Sequence, residues 1–360
     1  MIIPGQLSAE LAAVLAALLI PAVLAEPARR LALRYDLIDR SARHRVVFRR
    51  RIVPYLGGIL VVVGTLVPAL AVTGRIDIRL TAVVAGAVTV GILGFLRDLR
   101  RIALPFGMAM QAMMAFALAI GQVRLHVVQP GWLDIVLTAL WVLGVANAFR
   151  LLDQVDGLLP TAVCATAVPL AAAAFVTDQP ELAFLLVCFA AACCGFLLHN
   201  APPMRIAMGA SGGHFAGFLI AASAAVIRHA DHATFDGMPM VMLVTSVAAV
   251  NAIVVAVVPH GLEPEWGVVR LNRLGFTLGP RLLLIFQLVG TAGAGLLAAL
   301  VSGGVVNAYG TIPGALLVVL PLIVLLLQKP TPPPPPNLPR IKERHVVQPA
   351  RSLVKGGLQK

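Results

Sequence analysis

The chain has 360 residues, of which 59% are hydrophobic and only 12% charged, where soluble domains carry about a quarter charged. Its mean hydropathy of +0.92 excludes an ordinary soluble protein. The formal charge of +12 sits in loops between apolar runs, where arginines set topology and meet anionic lipid; this pattern argues against a nucleic-acid partner.

A bilayer is crossed by roughly 20 mostly apolar residues. Such runs fall near 6–26, 52–73, 78–96, 104–122, 132–149, 160–177, 181–199, 212–228, 238–259, 283–301 and 309–328. They predict an all-α, polytopic membrane protein with about 11 transmembrane helices. The first run has no basic segment ahead of it and reads as a retained helix rather than a signal peptide. Cys164, Cys188, Cys193 and Cys194 lie inside apolar runs without CxxC spacing, as small core residues do. Residues 1–328 read as one membrane domain. Beyond Lys329 the chain becomes a proline-rich, basic tail over 329–360, expected to be extended and without a core. With the 27–51 loop in the cytoplasm, 24 of the 28 Lys and Arg share that side, leaving Arg75, Arg79, Arg124 and Arg228 opposite. The positive-inside rule then puts the N-terminus outside a cell membrane and the C-terminus in the cytoplasm.

The polar constellations all fall on that cytoplasmic side. Asp153 and Asp156 stand three apart at the end of an apolar run, and on one helical turn they would face the same way. An ionisable group at a helix centre in the membrane costs roughly 2.5–3.5 kcal/mol, so such residues are functional candidates; solvation in a loop is the competing reading. Asp98 is flanked by Arg97 and, beyond Leu99, by Arg100 and Arg101, which suits a salt bridge. The basic stretch leading to Pro54, Gly57 and Gly58 fixes topology or meets a lipid phosphate. In the stretch from Asn200 to Gly217, the small residues Gly209, Ser211 and Gly212 open a helix whose amides could hold a phosphate; close helix packing explains the glycines equally. His199, His214 and His260 are placed near the same face, with His214 at the helix head.

These motifs, taken in order, resemble the polyprenyl-phosphate N-acetylhexosamine-1-phosphate transferases, over roughly residues 10–300. Asn147-Ala148-Phe149 through Asp153, Asp156, Gly157 and Leu158 is similar to that family's Asn-Ala-x-Asn-x-x-Asp-Gly-x-Asp-Gly-Leu. Pro54 with Gly57-Gly58, the spacing from Gly94 to Gln111, and Pro202-Pro203 with Arg205, Met208 and Gly209 follow three further family motifs. The resemblance implies ten or eleven helices, a cytoplasmic site, and Mg²⁺-dependent transfer of a sugar-1-phosphate from a UDP-sugar to a polyprenyl phosphate with release of UMP. It also implies metal or catalytic roles for Asp98, Asp153 and Asp156; substrate contacts are expected from Asn147, Arg97, Arg150, Arg205, Gly209, Ser211, Gly212 and His214. Members often form homodimers.

The departures carry as much information. Arg97 stands where the pattern has the first of two acids, Arg150 where it has Asn, Ala210 where it has Asp and Pro105 where it has Lys. Trp266, Val268 and Val269 align with the family's histidine motif. Together these changes make the region about three units more positive, which disfavours an Mg²⁺ site built on carboxylates. The expectation is a family member with lost or reduced transfer chemistry that still binds a lipid phosphate, a nucleotide or a partner, with Arg97 and Arg150 suited to an anion. The alternatives are an active transferase on the three remaining acids and, less favoured, a transporter of an anionic or lipid-linked solute using Asp134.

Overall fold

The computed structural model describes residues 4–35, 37, 53–74, 77–99, 102–121, 123–125, 128, 130–153, 156–227 and 244. Among these the architecture is all helical: α1 (Pro4–Arg34), α2 (Gly57–Val72), α3 (Ile78–Asp98), α4 (Leu104–Ile120), α5 (Gly131–Leu152), α6 (Leu158–Val176), α7 (Pro180–Asn200) and α8 (Gly209–Val226). Six are long and apolar enough to cross a membrane, and α2 and α4 are shorter apolar helices. The chain is a multi-pass membrane protein. The expected spans at 238–259, 283–301 and 309–328, the tail at 329–360, and His260, Trp266, Val268 and Val269 lie outside the described residues.

The helix ends follow local chemistry. Pro105 occupies the first turn of α4 and Pro180 that of α7, where a missing N–H costs nothing. Gly157 stands ahead of α6 with φ +74°, a left-handed conformation that glycine adopts without strain, and it breaks α5 from α6. One boundary differs from expectation. The first helix continues past 26 to Arg34, so Arg29, Arg30 and Arg34 ride on its last turns rather than in a loop. This segment is rich in Ala, Leu and Arg, all strong helix formers, and Glu26 pairs with Arg29 at 3.5 Å and Arg30 at 3.3 Å along the helix.

Helix α8 is the axis of the bundle. Ala210 to Ala224 are buried without interruption, and α2, α3, α5 and α6 all pack on it, while α7 joins α6 to α1 and α2. Small residues allow this. A Cβ on Gly217 would stand 2.6 Å from Ala146 Cα, and one on Gly213 2.7 Å from Arg150 Cα, so α5 and α8 touch backbone to backbone. Around this seam Phe149, Phe189, Phe196, Phe215 and Phe218 are fully buried, and Phe189 meets Phe215 edge to face at 5.6 Å. The head of α8 therefore gathers the C-terminal ends of α3, α5 and α7 and the N-terminal ends of α2 and α6 at one end of the bundle.

Candidate active site

The first four amides of a helix have no partner within it. In α8 these belong to Met208, Gly209, Ala210 and Ser211, and no side chain at the N-cap position serves them. Two acids from other helices do. Asp153, just past α5, accepts from Met208 N at Oδ1 (3.1 Å) and from Gly209 N at Oδ2 (2.7 Å). Asp98, the last residue of α3, accepts from Ala210 N at Oδ1 (3.1 Å) and from Ser211 N at Oδ2 (3.2 Å). Both carboxylates also lie at the positive end of the α8 dipole, which favours their charge. Gly209 makes this approach feasible: its φ is +75°, and a Cβ there would stand 2.6 Å from Asp98 Oδ2.

The loop ahead of α8 is held in the same way. Asp156 accepts from Met204 N at 3.1 Å. Asn200 accepts from Gly157 N at 3.0 Å and donates to Ile206 O at 2.9 Å. Ala207 and Met208 carbonyls accept from Gly57 N and Gly58 N, each at 3.0 Å, and Ala207 N donates to Pro54 O at 2.9 Å. The heads of α2 and α8 are thus tied to one loop.

The geometry bears on three expectations. Asp153 and Asp156 do not share a helical turn: α5 ends at Leu152, and the two acids reach opposite ends of the 204–209 loop. The amides of Gly209 and Ser211, expected to hold a phosphate, are taken by Asp153 and Asp98, because charged acceptors already fill that positive end. His214 and Ser211, expected to contact substrate, are buried, and so is Gly212, packed on Gly58. Ser211 Oγ donates to Met208 O at 3.1 Å.

His214 belongs to a buried polar chain that spacing alone does not reveal. Asn147 Nδ2 donates to Gln111 Oε1 at 3.2 Å, and Gln111 Nε2 lies 3.2 Å from His214 Nε2. With the Gln111 carbonyl accepting, its amide donates, so His214 Nε2 accepts and Nδ1 carries the proton. Among the described residues Nδ1 is buried without a hydrogen-bond partner. Arg97 on α3 and Arg150 on α5 are both within electrostatic reach of His214. Arg205 is exposed, its amide bonded to His199 O at 2.9 Å. His199 itself reaches Ala22 O on α1 at 2.9 Å, a packing role.

Mg²⁺ takes near-octahedral oxygen ligands, usually including one or two carboxylates. Here all four oxygens of Asp98 and Asp153 accept amides and Asp156 accepts one at Oδ2. Among the described residues no three His, Cys, Asp or Glu side chains are grouped so as to hold a metal ion in this arrangement.

Comparison with known proteins agrees with the motif order. Residues 80–228 match glycosyl transferase family 4. A Streptomyces coelicolor protein named as a glycosyltransferase is 36% identical over 277 residues, covering 73% of this chain and 63% of that protein. A Bacillus subtilis protein named as an undecaprenyl-phosphate N-acetylglucosaminyl 1-phosphate transferase is 26% identical over 201 residues, or 53% of this chain and 56% of its own length. A phospho-N-acetylmuramoyl-pentapeptide-transferase of Desulforamulus reducens is 29% identical over 202 residues, or 49% and 60%. The chain thus spans less than two thirds of each of these relatives. The matched region runs from α3 to α8 and holds every acid that converges on the α8 head, and over that region the chain is similar to glycosyl transferase family 4.

Proposed function

We propose that this protein binds a polyprenyl phosphate or a related phosphate at the α8 head and has lost, or greatly reduced, the Mg²⁺-dependent transfer of sugar-1-phosphate from a UDP-sugar. One observation carries the reading: the four oxygens of Asp98 and Asp153 form the N-terminal cap of α8. Carboxylates held as a structural cap, beside Arg97 and Arg150, suit a site that binds a phosphate by guanidinium groups instead of through a metal. Arg205, exposed on the same loop, is the third cation of this face. Asn147 supports the site through Gln111 rather than by direct contact. The site faces the cytoplasm of a cell membrane, with the N-terminus outside, in keeping with the arginines on the α1 end, the α3 end and the 205 loop.

A second reading has its own support. Each carboxylate oxygen has two lone pairs, so an oxygen that accepts one amide can still ligate an ion. Asp98, Asp153 and Asp156 would then bind Mg²⁺ after a rearrangement of the cap, and transfer would proceed.

Release of UMP from UDP-N-acetylglucosamine, with undecaprenyl phosphate as acceptor, separates the two. The purified full-length protein is assayed with and without Mg²⁺, beside an active family enzyme. The proposal expects no release, together with binding of undecaprenyl phosphate that survives EDTA and weakens in Arg97→Ala and Arg150→Ala. Mg²⁺-dependent release that Asp153→Asn abolishes would overturn it in favour of the second reading.

A further inference from the structure

Cys164 lies in the second turn of α6 and Cys194 in the second-last turn of α7. Their Sγ atoms are 3.4 Å apart. Cys164 is buried, with its thiol 3.5 Å from Ala190 O on α7, while Cys194 is exposed on the outside of the bundle. Each sits six residues from the site end of its helix, about 9 Å at 1.5 Å per residue. Cys188 and Cys193 are buried. The result is one accessible thiol against one buried thiol, bridging two helices. Packing alone asks only for small apolar residues here; it does not ask for two sulfurs in contact. A disulfide needs about 2.05 Å between sulfurs, which side-chain rotation and a small slide of α7 along α6 would provide.

We propose that Cys164 and Cys194 are a redox-active dithiol that a lipid-soluble quinone oxidises to a disulfide between α6 and α7. The exposed Cys194 sulfur adds to the quinone ring, forming a carbon–sulfur bond as its proton passes to the ring oxygens. The Cys164 sulfur then attacks the Cys194 sulfur. The sulfur–sulfur bond forms, the carbon–sulfur bond breaks with its electron pair returning to the ring, and the second proton completes the hydroquinone. Two thiols lose two electrons and the quinone gains them. The oxidant is assigned to this class because Cys194 faces the apolar exterior of a membrane span, where a lipid-dissolved oxidant is concentrated.

The bond would lie two turns below the contacts that close the site loop, Gly157 N to Asn200 Oδ1 at 3.0 Å and Met204 N to Asp156 Oδ2 at 3.1 Å. Oxidation would therefore restrain the α6–α7 end that supports Asp156.

The test uses the full-length protein in lipid nanodiscs, a naphthoquinone as probe, then alkylation and peptide mapping by mass spectrometry. The expected result is a Cys164–Cys194 linked peptide lacking two hydrogens, one hydroquinone formed per link, and reversal by dithiothreitol. Cys188→Ser and Cys193→Ser should keep the link; Cys164→Ser and Cys194→Ser should lose it. Amide exchange at Gly157 and Met204 should slow in the oxidised form and recover on reduction. If Cys164→Ser fails to fold, wild-type protein alkylated beforehand at the exposed Cys194 serves in its place and should form no link. The proposal is overturned if Cys194 ends as a lasting quinone adduct with Cys164 still a thiol, if neither sulfur reacts, or if the link joins other cysteines or two chains.

Discussion

Gly209 donates its amide to Asp153 Oδ2 over 2.7 Å, across 56 residues of sequence. The bond is short because the acceptor is charged, and it is reachable because Gly209 has φ +75°. A residue with a side chain fails there twice: left-handed backbone costs roughly 1–2 kcal/mol, and its Cβ would stand 2.6 Å from Asp98 Oδ2. Gly209→Ala should therefore lower the stability of the detergent-solubilised protein by about 1–3 kcal/mol, read as an earlier thermal unfolding midpoint. An unchanged midpoint would mean that the α8 head is not built this way.

The two acids of the cap and loop should respond differently to loss of charge. Asp153→Asn keeps one acceptor oxygen for two amides and turns an NH₂ toward the other, leaving a buried donor unsatisfied at about 1–3 kcal/mol. Asp156 accepts Met204 N at Oδ2, and Asn keeps an acceptor oxygen that can serve this single amide, so Asp156→Asn should cost less than Asp153→Asn. Denaturation of the two variants side by side checks the order, and a larger loss at Asp156 would contradict it.

The buried chain Asn147–Gln111–His214 makes a prediction about coupling. Gln111→Leu strands His214 Nε2 and takes one of two acceptors from the Asn147 amide, the other being Leu143 O at 2.8 Å, at a cost of about 1–3 kcal/mol. His214→Leu removes a group whose Nδ1 is already without a partner among the described residues, so it should cost less. The double variant should be more stable than the two single losses added together, because removing both ends of a buried bond leaves less unsatisfied. Strict additivity in the double-mutant cycle would show that the contact carries nothing.

How far the sequence speaks depends on range. The spans of α2 to α8 are legible because a bilayer demands long apolar runs, and each run stands between charged or Pro/Gly-marked ends. That Asp98, Asp153 and Asp156 come together in space is also legible, through motif order. What they do there is not. The acids meet amides 48 to 113 residues away, and nothing near Asp153 in sequence announces Met208 or Gly209. The i, i+3 spacing of Asp153 and Asp156 suggests one helical turn, but α5 ends at Leu152, ahead of both acids, so the spacing misleads. His214 looks like a site residue at the head of a helix, yet its partner Gln111 lies 103 residues earlier, inside α4, and burial follows from that contact. The signal that was available is the pairing of Gln111 and Asn147 with a histidine on a small-residue helix: three polar side chains in apolar spans must find one another or stay unsatisfied.

The close seam of α5 and α8 gives a packing prediction. Gly217→Val would drive a side chain into Ala146, whose Cα lies 2.6 Å from the position of the added Cβ. Overpacking of this kind typically costs about 1–3 kcal/mol. Because Arg150 is on the same seam at Gly213, the variant should also weaken phosphate binding while leaving the Asp98 cap in place. Thermal unfolding and lipid-phosphate binding measured together test both halves, and wild-type behaviour in both would deny the seam.

Metal removal gives the most direct contrast. A ligand that binds only the folded protein stabilises it by about 2.7 kcal/mol at a hundredfold excess over its dissociation constant. If Asp98 and Asp153 ligated Mg²⁺ in the resting protein, millimolar Mg²⁺ would raise the unfolding midpoint and EDTA would lower it. With their four oxygens committed to the head of α8, neither addition should move it. A polyprenyl phosphate, held by Arg97 and Arg150, should raise the midpoint with or without EDTA, and the rise should shrink in added salt as the guanidinium–phosphate attraction is screened. A midpoint that follows Mg²⁺ and ignores the lipid phosphate would mean that the cap opens for the ion and that the carboxylates are metal ligands after all.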